Sequence, residues 1–354
     1  MPSYKGLVWP PRSRWLSNLL ASSRVFFSRP ASGPAGGAVY NLGMAIRPQS
    51  RRGSVRKGTY DRRRTEQRNP ASRGLDRMSS LEIIRLMNRE DRKVTRAIQT
   101  QLPAIARAVD VIVRSLQGGG RLFYVGAGSS GRMGVLDAAE CPPTFGVSTS
   151  RVHALIAGGR RAVTGAVEGA EDANANGARD LRHAKLSNRD VVVGIAASGT
   201  TPYVIGALKH ARSIRAKTVA LVGNRRSPIA RLADVAIAPE VGPEVLTGST
   251  RLKAGSAQKM VLNMLSTASM VRLGHAYENL MIDVTATNQK LSGRTLRILA
   301  EASGRDLSTA EHALRQSGHN LRTALVMLKR NLSAAEARKR LQSARGNLRR
   351  ALGE

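Results

Sequence analysis

A chain of 354 residues with 42% apolar and 3% aromatic content and a net charge of +33 is long enough for one large core and a smaller appendage. One cysteine, Cys141, excludes a disulfide framework and fits a reducing, cytoplasmic setting, and six histidines without an H-x-x-x-H pair or a nearby cysteine argue against a metal site. Residues 1–64 hold 13 Lys/Arg against Asp61 and residues 305–354 hold 11 against four acids, so the charge gathers at the two ends, where solvated basic residues need no nucleic-acid partner.

Residues 1–64 show no helical or strand period and are rich in Arg, Ser, Pro and Gly, a composition that predicts a disordered basic extension. An upstream extension or an over-long start, with Met44 as an internal start, is preferred to an organellar transit peptide. Their apolar pieces are too short to span a bilayer, and no membrane partner is expected.

Ordered sequence begins near Thr65. Ser79 and Glu82 open one amphipathic helix, and apolar spacing from residue 91 to 116 predicts a second. Residues 122–125 then read as a buried strand, and Gly126-Ala127-Gly128-Ser129-Ser130-Gly131 as a tight turn into a helix. Such a turn is an anion site, because free amides and the helix dipole converge on it while Ser129 and Ser130 add hydroxyls. Gly126, Gly128 and Gly131 also fit the dinucleotide fingerprint, but the next strand, residues 152–156, runs into Ala157-Gly158-Gly159-Arg160 with no carboxylate at its tip. A phosphorylated small molecule is the better guest, and no cofactor is expected.

The helix after the turn is predicted to stop near Ala139, because Pro142-Pro143 follows. A helix over 161–169, a strand over 191–195, the hydroxyl turn Ser198-Gly199-Thr200-Thr201, a helix over 203–211, a strand over 219–222, a helix over 228–232 and a short strand over 235–237 complete the pattern. This alternation predicts an α/β fold with a mostly parallel five-stranded sheet between helical layers, ligands binding beyond the carboxyl ends of its strands. Both hydroxyl turns stand there, with Ser198, Gly199 and Thr201 in the second. Thr247, Ser249, Thr250 and Lys253 precede a long helix and offer donors to a carboxylate or phosphate, plain capping being the competing reading. Segments 307–316, 321–328 and 334–352 predict a small bundle of three helices.

Chemistry on a sugar phosphate needs a proton-exchanging side chain. Glu140, placed at the end of the first crossover helix in an apolar setting, and Glu171 are the candidates, each competing with a plain surface acid. Ten helical residues from Ser130 to Glu140 span roughly 15 Å, longer than a hexose phosphate reaches. Either the phosphate therefore sits mainly at the Ser198 turn, or the site is composite across a dimer.

The run from Gly126 to Arg132, Asp137-Ala138-Ala139-Glu140-Cys141-Pro142-Pro143, Val167-Glu168-Gly169-Ala170-Glu171-Asp172, the Ser198 turn and the stretch from Val241 to Lys253 closely resemble the N-acetylmuramic acid 6-phosphate etherases of the sugar isomerase (SIS) domain superfamily. The resemblance implies an SIS-type three-layer sandwich over residues 65–304 and a small helical, UBA-like domain over 305–354. It further implies a homodimer without a required metal, cleavage of the D-lactyl ether of a phosphorylated amino sugar, Glu140 as the acid/base and Glu171 as a second essential glutamate. Thr200 departs from it, standing where the family usually has an arginine, which bears on phosphate affinity rather than on reaction type. A non-catalytic sugar-phosphate sensor is the alternative, and the presence of both glutamates argues against it.

Overall fold

The computed structural model describes residues 63–284 and 289–354; the expectations for residues 1–62, Met44 included, lie outside the described residues. Three 3-10 turns between Arg64 and Arg77 lead into α1 (Ser80–Gln99), opened by the Ser79/Glu82 capping box. Next comes α2 (Leu102–Gln117). The helix break falls at Thr100 and Gln101, not near residue 90 as the spacing predicts. Pro103 has no amide to donate to the carbonyl of Gln99, so the ladder must restart there.

The sheet follows in chain order. β1 (Leu122–Gly126) leads to α3 (Gly128–Phe145), β2 (Val152–Ile156), α4 (Arg161–Thr164) and α5 (Asn174–His183). Then come β3 (Val191–Ala196), α6 (Pro202–Ser213), β4 (Lys217–Val222), α7 (Pro228–Leu232), β5 (Val235–Ile237) and the long α8 (Lys253–Arg272). The strand order is β2-β1-β3-β4-β5 and every pairing is parallel, so the sheet is parallel throughout.

Alternate strand residues face opposite layers. Tyr124, Val191, Val193 and Ile195 pack with α1, α2, α3 and α8, while Phe123, Val125, Val192 and Ala196 pack with α5, α6 and α7. Burial on both faces is why these strands read as unbroken apolar runs.

Two helices depart from their predicted bounds. α3 continues through Pro142 and Pro143 to Phe145. The prolines remove two amide donors, yet burial of Cys141 and Phe145 and the Gly146 amide bonded to Pro142 O at 2.9 Å hold the last turn. α4 is one turn rather than nine residues, stopped at Gly165; turns and the unanticipated α5 follow.

Beyond α8 lie α9 (Gln289–Ser303), α10 (Leu307–Gln316), α11 (Leu321–Arg330), α12 (Ala334–Ser343) and α13 (Leu348–Leu352). The predicted last helix is two, because the backbone turns left-handed at Arg345 and Gly346. A third core joins these helices to Tyr277, Ile282 and Val284. Among the described residues no helix is long and apolar enough to cross a membrane.

The first turn depends on close packing at Gly131. A Cβ there would stand 2.6 Å from Ile156 Cγ1 and 3.0 Å from the Gly126 carbonyl carbon. Gly131→Ala is expected to lower unfolding stability by about 1–3 kcal/mol, the usual cost of overpacking, read from the midpoint of chemical denaturation.

Candidate functional site

Gly126 of β1 pairs with Ile195 of β3, so the Ser129 and Ser198 turns leave the sheet side by side. In the order 2-1-3-4-5 this is the point where the chain reverses its direction of travel across the sheet, and a crevice opens there between diverging loops. Ser129 is half-buried in the first turn of α3, whereas Ser130 is buried. Gly199 is required by its neighbours: its φ is +72°, and a Cβ would lie 2.2 Å from Ser227 Oγ. Thr200 N and Oγ1 both donate to Ser198 Oγ, at 3.2 and 3.1 Å. Thr201 and Pro202 start α6.

Glu171 joins the second turn through the backbone. Its carbonyl accepts from Tyr203 N at 3.0 Å, which holds the exposed Glu171 at the start of α6. Arg132 shapes the same segment from α3, donating to the carbonyls of Ala162, Val163 and Gly165 at 3.0, 3.0 and 2.7 Å.

Glu140 is set differently from its expectation. It lies inside α3, which runs on to Phe145, and its side chain is exposed in the single chain, so the apolar helix end predicted for it is absent. Ser129, Met133, Leu136 and Glu140 fall on one face of α3, where Leu136 is 48% exposed. The helix is continuous, so the rise from Ser130 to Glu140 is about 15 Å. Beside Glu140, burial first and then Asp137 and Glu140 push the Cys141 thiol up to about 12, so no thiolate nucleophile is present. Burial also raises Asp137, against bonds from Tyr124 Oη at 2.8 Å and Ser266 Oγ at 3.1 Å that tie α3 to β1 and α8.

The third predicted group is corrected in part. Ser249 and Thr250 are half-buried before α8, but the amides opening that helix are taken: Glu244 accepts from Lys253 N at 3.1 Å and Ala254 N at 2.9 Å. The chain's own carboxylate fills the anion position. Lys253 is 1% exposed, and its Nζ donates to Glu90 at 2.7 Å and to Pro243 O at 2.7 Å. It is a buried ion-pair partner, removed from any ligand in solvent. Its partner lies 163 residues away, so no local pattern shows the pairing.

Sequence reasoning also missed the segment that covers the second turn. Asn224 accepts from Arg64 N at 3.2 Å and donates to Ala197 O, Ser198 O and Thr65 Oγ1 at 3.3, 3.1 and 3.3 Å. A cleft of about 920 Å³ opens here, lined by Arg63, Ser198, Thr200, Asn224, Arg225, Arg231 and Glu240 among others.

Comparison with known proteins gives two domain matches. A model described as the SIS domain matches residues 171–268, and one described as the glucokinase regulatory protein N-terminal SIS domain matches residues 104–212. N-acetylmuramic acid 6-phosphate etherases from Pectobacterium atrosepticum and Serratia proteamaculans are 57% and 58% identical over 288 residues, 81% of this chain and 95% and 97% of theirs. A phosphoheptose isomerase structure from Francisella tularensis matches with a TM-score of 0.40 at 17% identity, over 55% of this chain and 100% of that one.

The buried ion pair makes a stability prediction. Removing one partner of such a pair costs about 3–5 kcal/mol, so Lys253→Met should destabilise by that amount. Burial opposes ionisation of Glu90, but bonds from Lys253, Lys93 and Asn69 outweigh it and hold the carboxyl at about 2. A depressed carboxyl stabilises the fold above its ordinary value and loses that contribution as pH falls. The stability gap between wild type and Glu90→Gln should therefore be constant above pH 4.5 and close toward pH 2, measured by denaturation across that range.

Proposed function

The chain belongs to the N-acetylmuramic acid 6-phosphate etherase family, and from that premise we propose that it cleaves the D-lactyl ether of N-acetylmuramic acid 6-phosphate, giving N-acetylglucosamine 6-phosphate and D-lactate in the cytoplasm during cell-wall sugar recycling. The observation that carries this reading is 57% identity extending over 95% of a named etherase. The regulatory-protein model covers residues 104–212 alone, so the enzymatic reading stands over the sensor.

The geometry supports an assignment of roles. The phosphate sits at the switch between β1 and β3, where Ser129, Ser130, Ser198 and Thr201 offer hydroxyls on turns that Gly199, with its positive φ, helps to close. Ser249 and Thr250 serve the far side of the sugar, while Lys253 pairs with Glu90 in the core. In the open-chain aldehyde, Glu140 removes the proton from the carbon next to the carbonyl. The electron pair forms the carbon–carbon double bond as the bond to the lactyl oxygen breaks, and that oxygen takes a proton from a carboxylic acid of the site and leaves as the lactate hydroxyl; that carboxylate regains its proton from the water that adds next. Water then adds to the unsaturated aldehyde, restoring the sugar hydroxyl and the abstracted proton. Glu171, beside the start of α6, is the second carboxylate of the site.

One subunit does not bring the first turn and Glu140 to a single hexose phosphate across about 15 Å. We therefore read the enzyme as a homodimer in which the exposed face of α3 carrying Leu136 and Glu140 meets a second copy, completing that copy's site. The sheet-bearing part, residues 65–304, carries catalysis, and residues 305–354 form a helical appendage.

Two measurements test the chemistry. Turnover in heavy-oxygen water should place label in the sugar product and none in lactate, whereas label in lactate would exclude elimination followed by hydration. Glu140→Gln should lower kcat by at least about 100-fold, the lower range for a general acid/base, with substrate binding retained in calorimetry.

A further inference from the structure

We propose that Arg63, carried by the segment entering the domain, is a substrate-binding residue whose guanidinium completes the phosphate cradle of the Ser198 turn; the proposal rests on the phosphosugar reading above. Arg63 Nη1 donates to Thr200 Oγ1 at 2.8 Å across 137 residues of sequence, and Thr200 Oγ1 in turn donates a hydrogen bond to Ser198 Oγ at 3.1 Å. Guanidinium, threonine and serine thus form one hydrogen-bonded line at the mouth of the turn. A guanidinium presents N–H donors in a planar fork that matches phosphate oxygens, which the hydroxyls alone do not provide.

The position is fixed by the backbone. Asn224 accepts from the amide of Arg64 and donates to the carbonyls of Ala197 and Ser198, so the arginine's own segment is tied to the loop it serves. Placement before binding lowers the ordering cost of the clamp. The cleft has about 920 Å³, and among its described lining residues Arg225, Arg226 and Arg231 join Arg63 and Arg64 against the single carboxylate Glu240. That imbalance draws a dianion toward the turn. Arg63 is singled out because the structure puts its guanidinium on the turn's hydroxyl.

The test uses the full chain and N-acetylmuramic acid 6-phosphate as substrate, with inorganic phosphate as competitor and N-acetylglucosamine 6-phosphate as calorimetric ligand. A charged hydrogen bond removed from a ligand weakens binding by about 10- to 100-fold. Arg63→Ala should raise KM and the phosphate inhibition constant in parallel by that factor, with kcat within about threefold. Arg63→Lys, which keeps the charge and loses the fork, should lie between.

Adding Thr200→Arg to Arg63→Ala places a guanidinium beside the same spot and should recover most of the affinity. A purely structural arginine would instead lower thermal stability and kcat, and would not be rescued from position 200. Wild-type KM and phosphate inhibition in both Arg63→Ala and Arg63→Lys would overturn the proposal and leave the lyase reading standing. Absent lactate release by the wild type, with N-acetylglucosamine 6-phosphate binding weakened by Arg63→Ala, would sink the lyase reading and support the arginine's role.

Discussion

One unbroken helix sets the terms for the site. α3 begins at a serine turn on the end of β1 and carries Glu140 more than halfway along its 18 residues, and a helix advances about 1.5 Å per residue whatever its side chains. The serines and the carboxylate are therefore held apart at a fixed distance, on a rod pinned to β1 through Tyr124 and Asp137 and to α8 through Ser266. A site that needs both ends of the rod must take one of them from another molecule. The exposed Leu136 on the face shared by Ser129 and Glu140 is the surface such a meeting would cover.

The second constraint is the buried charge beneath the loops. Glu90, Lys253 and Glu244 link α1 to the start of α8, with Asn69 donating to Glu90 at 2.9 Å. Each is almost fully buried, and a lone charge there would be costly, so the three hold one another in place. Glu244 already satisfies the amides at the head of α8, whereas Ser198 and Thr200 of the turn after β3 line a cleft. The proposed phosphate position at the switch point of the sheet, and the proposed role of Arg63 there, rest on this difference.

The sheet was legible in the sequence because parallel strands covered on both faces become apolar runs, such as Val191-Val192-Val193, bounded by glycine and polar residues. The hydroxyl turns were legible because their chemistry is contiguous. α5 was not: among its ten residues only Gly177 and Leu181 are buried, too few to write a helical period. The prolines of α3 suggested a stop because local rules cannot weigh the burial of Phe145 that overrides them. Lys253 was read as a ligand group, and Arg63 and Asn224 were not singled out, for one reason: their partners lie 163, 137 and up to 160 residues away. Contacts of that range exist only after folding. The resemblance to a family named the two glutamates, and the fold places Glu171 beside the second turn and Glu140 on an outer face.

The most direct test of the composite site is activity in mixed dimers. Glu140→Gln subunits and Ser198→Ala/Ser129→Ala subunits, each inactive alone, are unfolded and refolded together. If the hydroxyl turns and Glu140 of a working site come from different copies, each hybrid regains one intact site, and random pairing of a two-fold dimer restores roughly a quarter of wild-type turnover. No recovery from verified hybrids would show that both groups act within one subunit and would contradict this account.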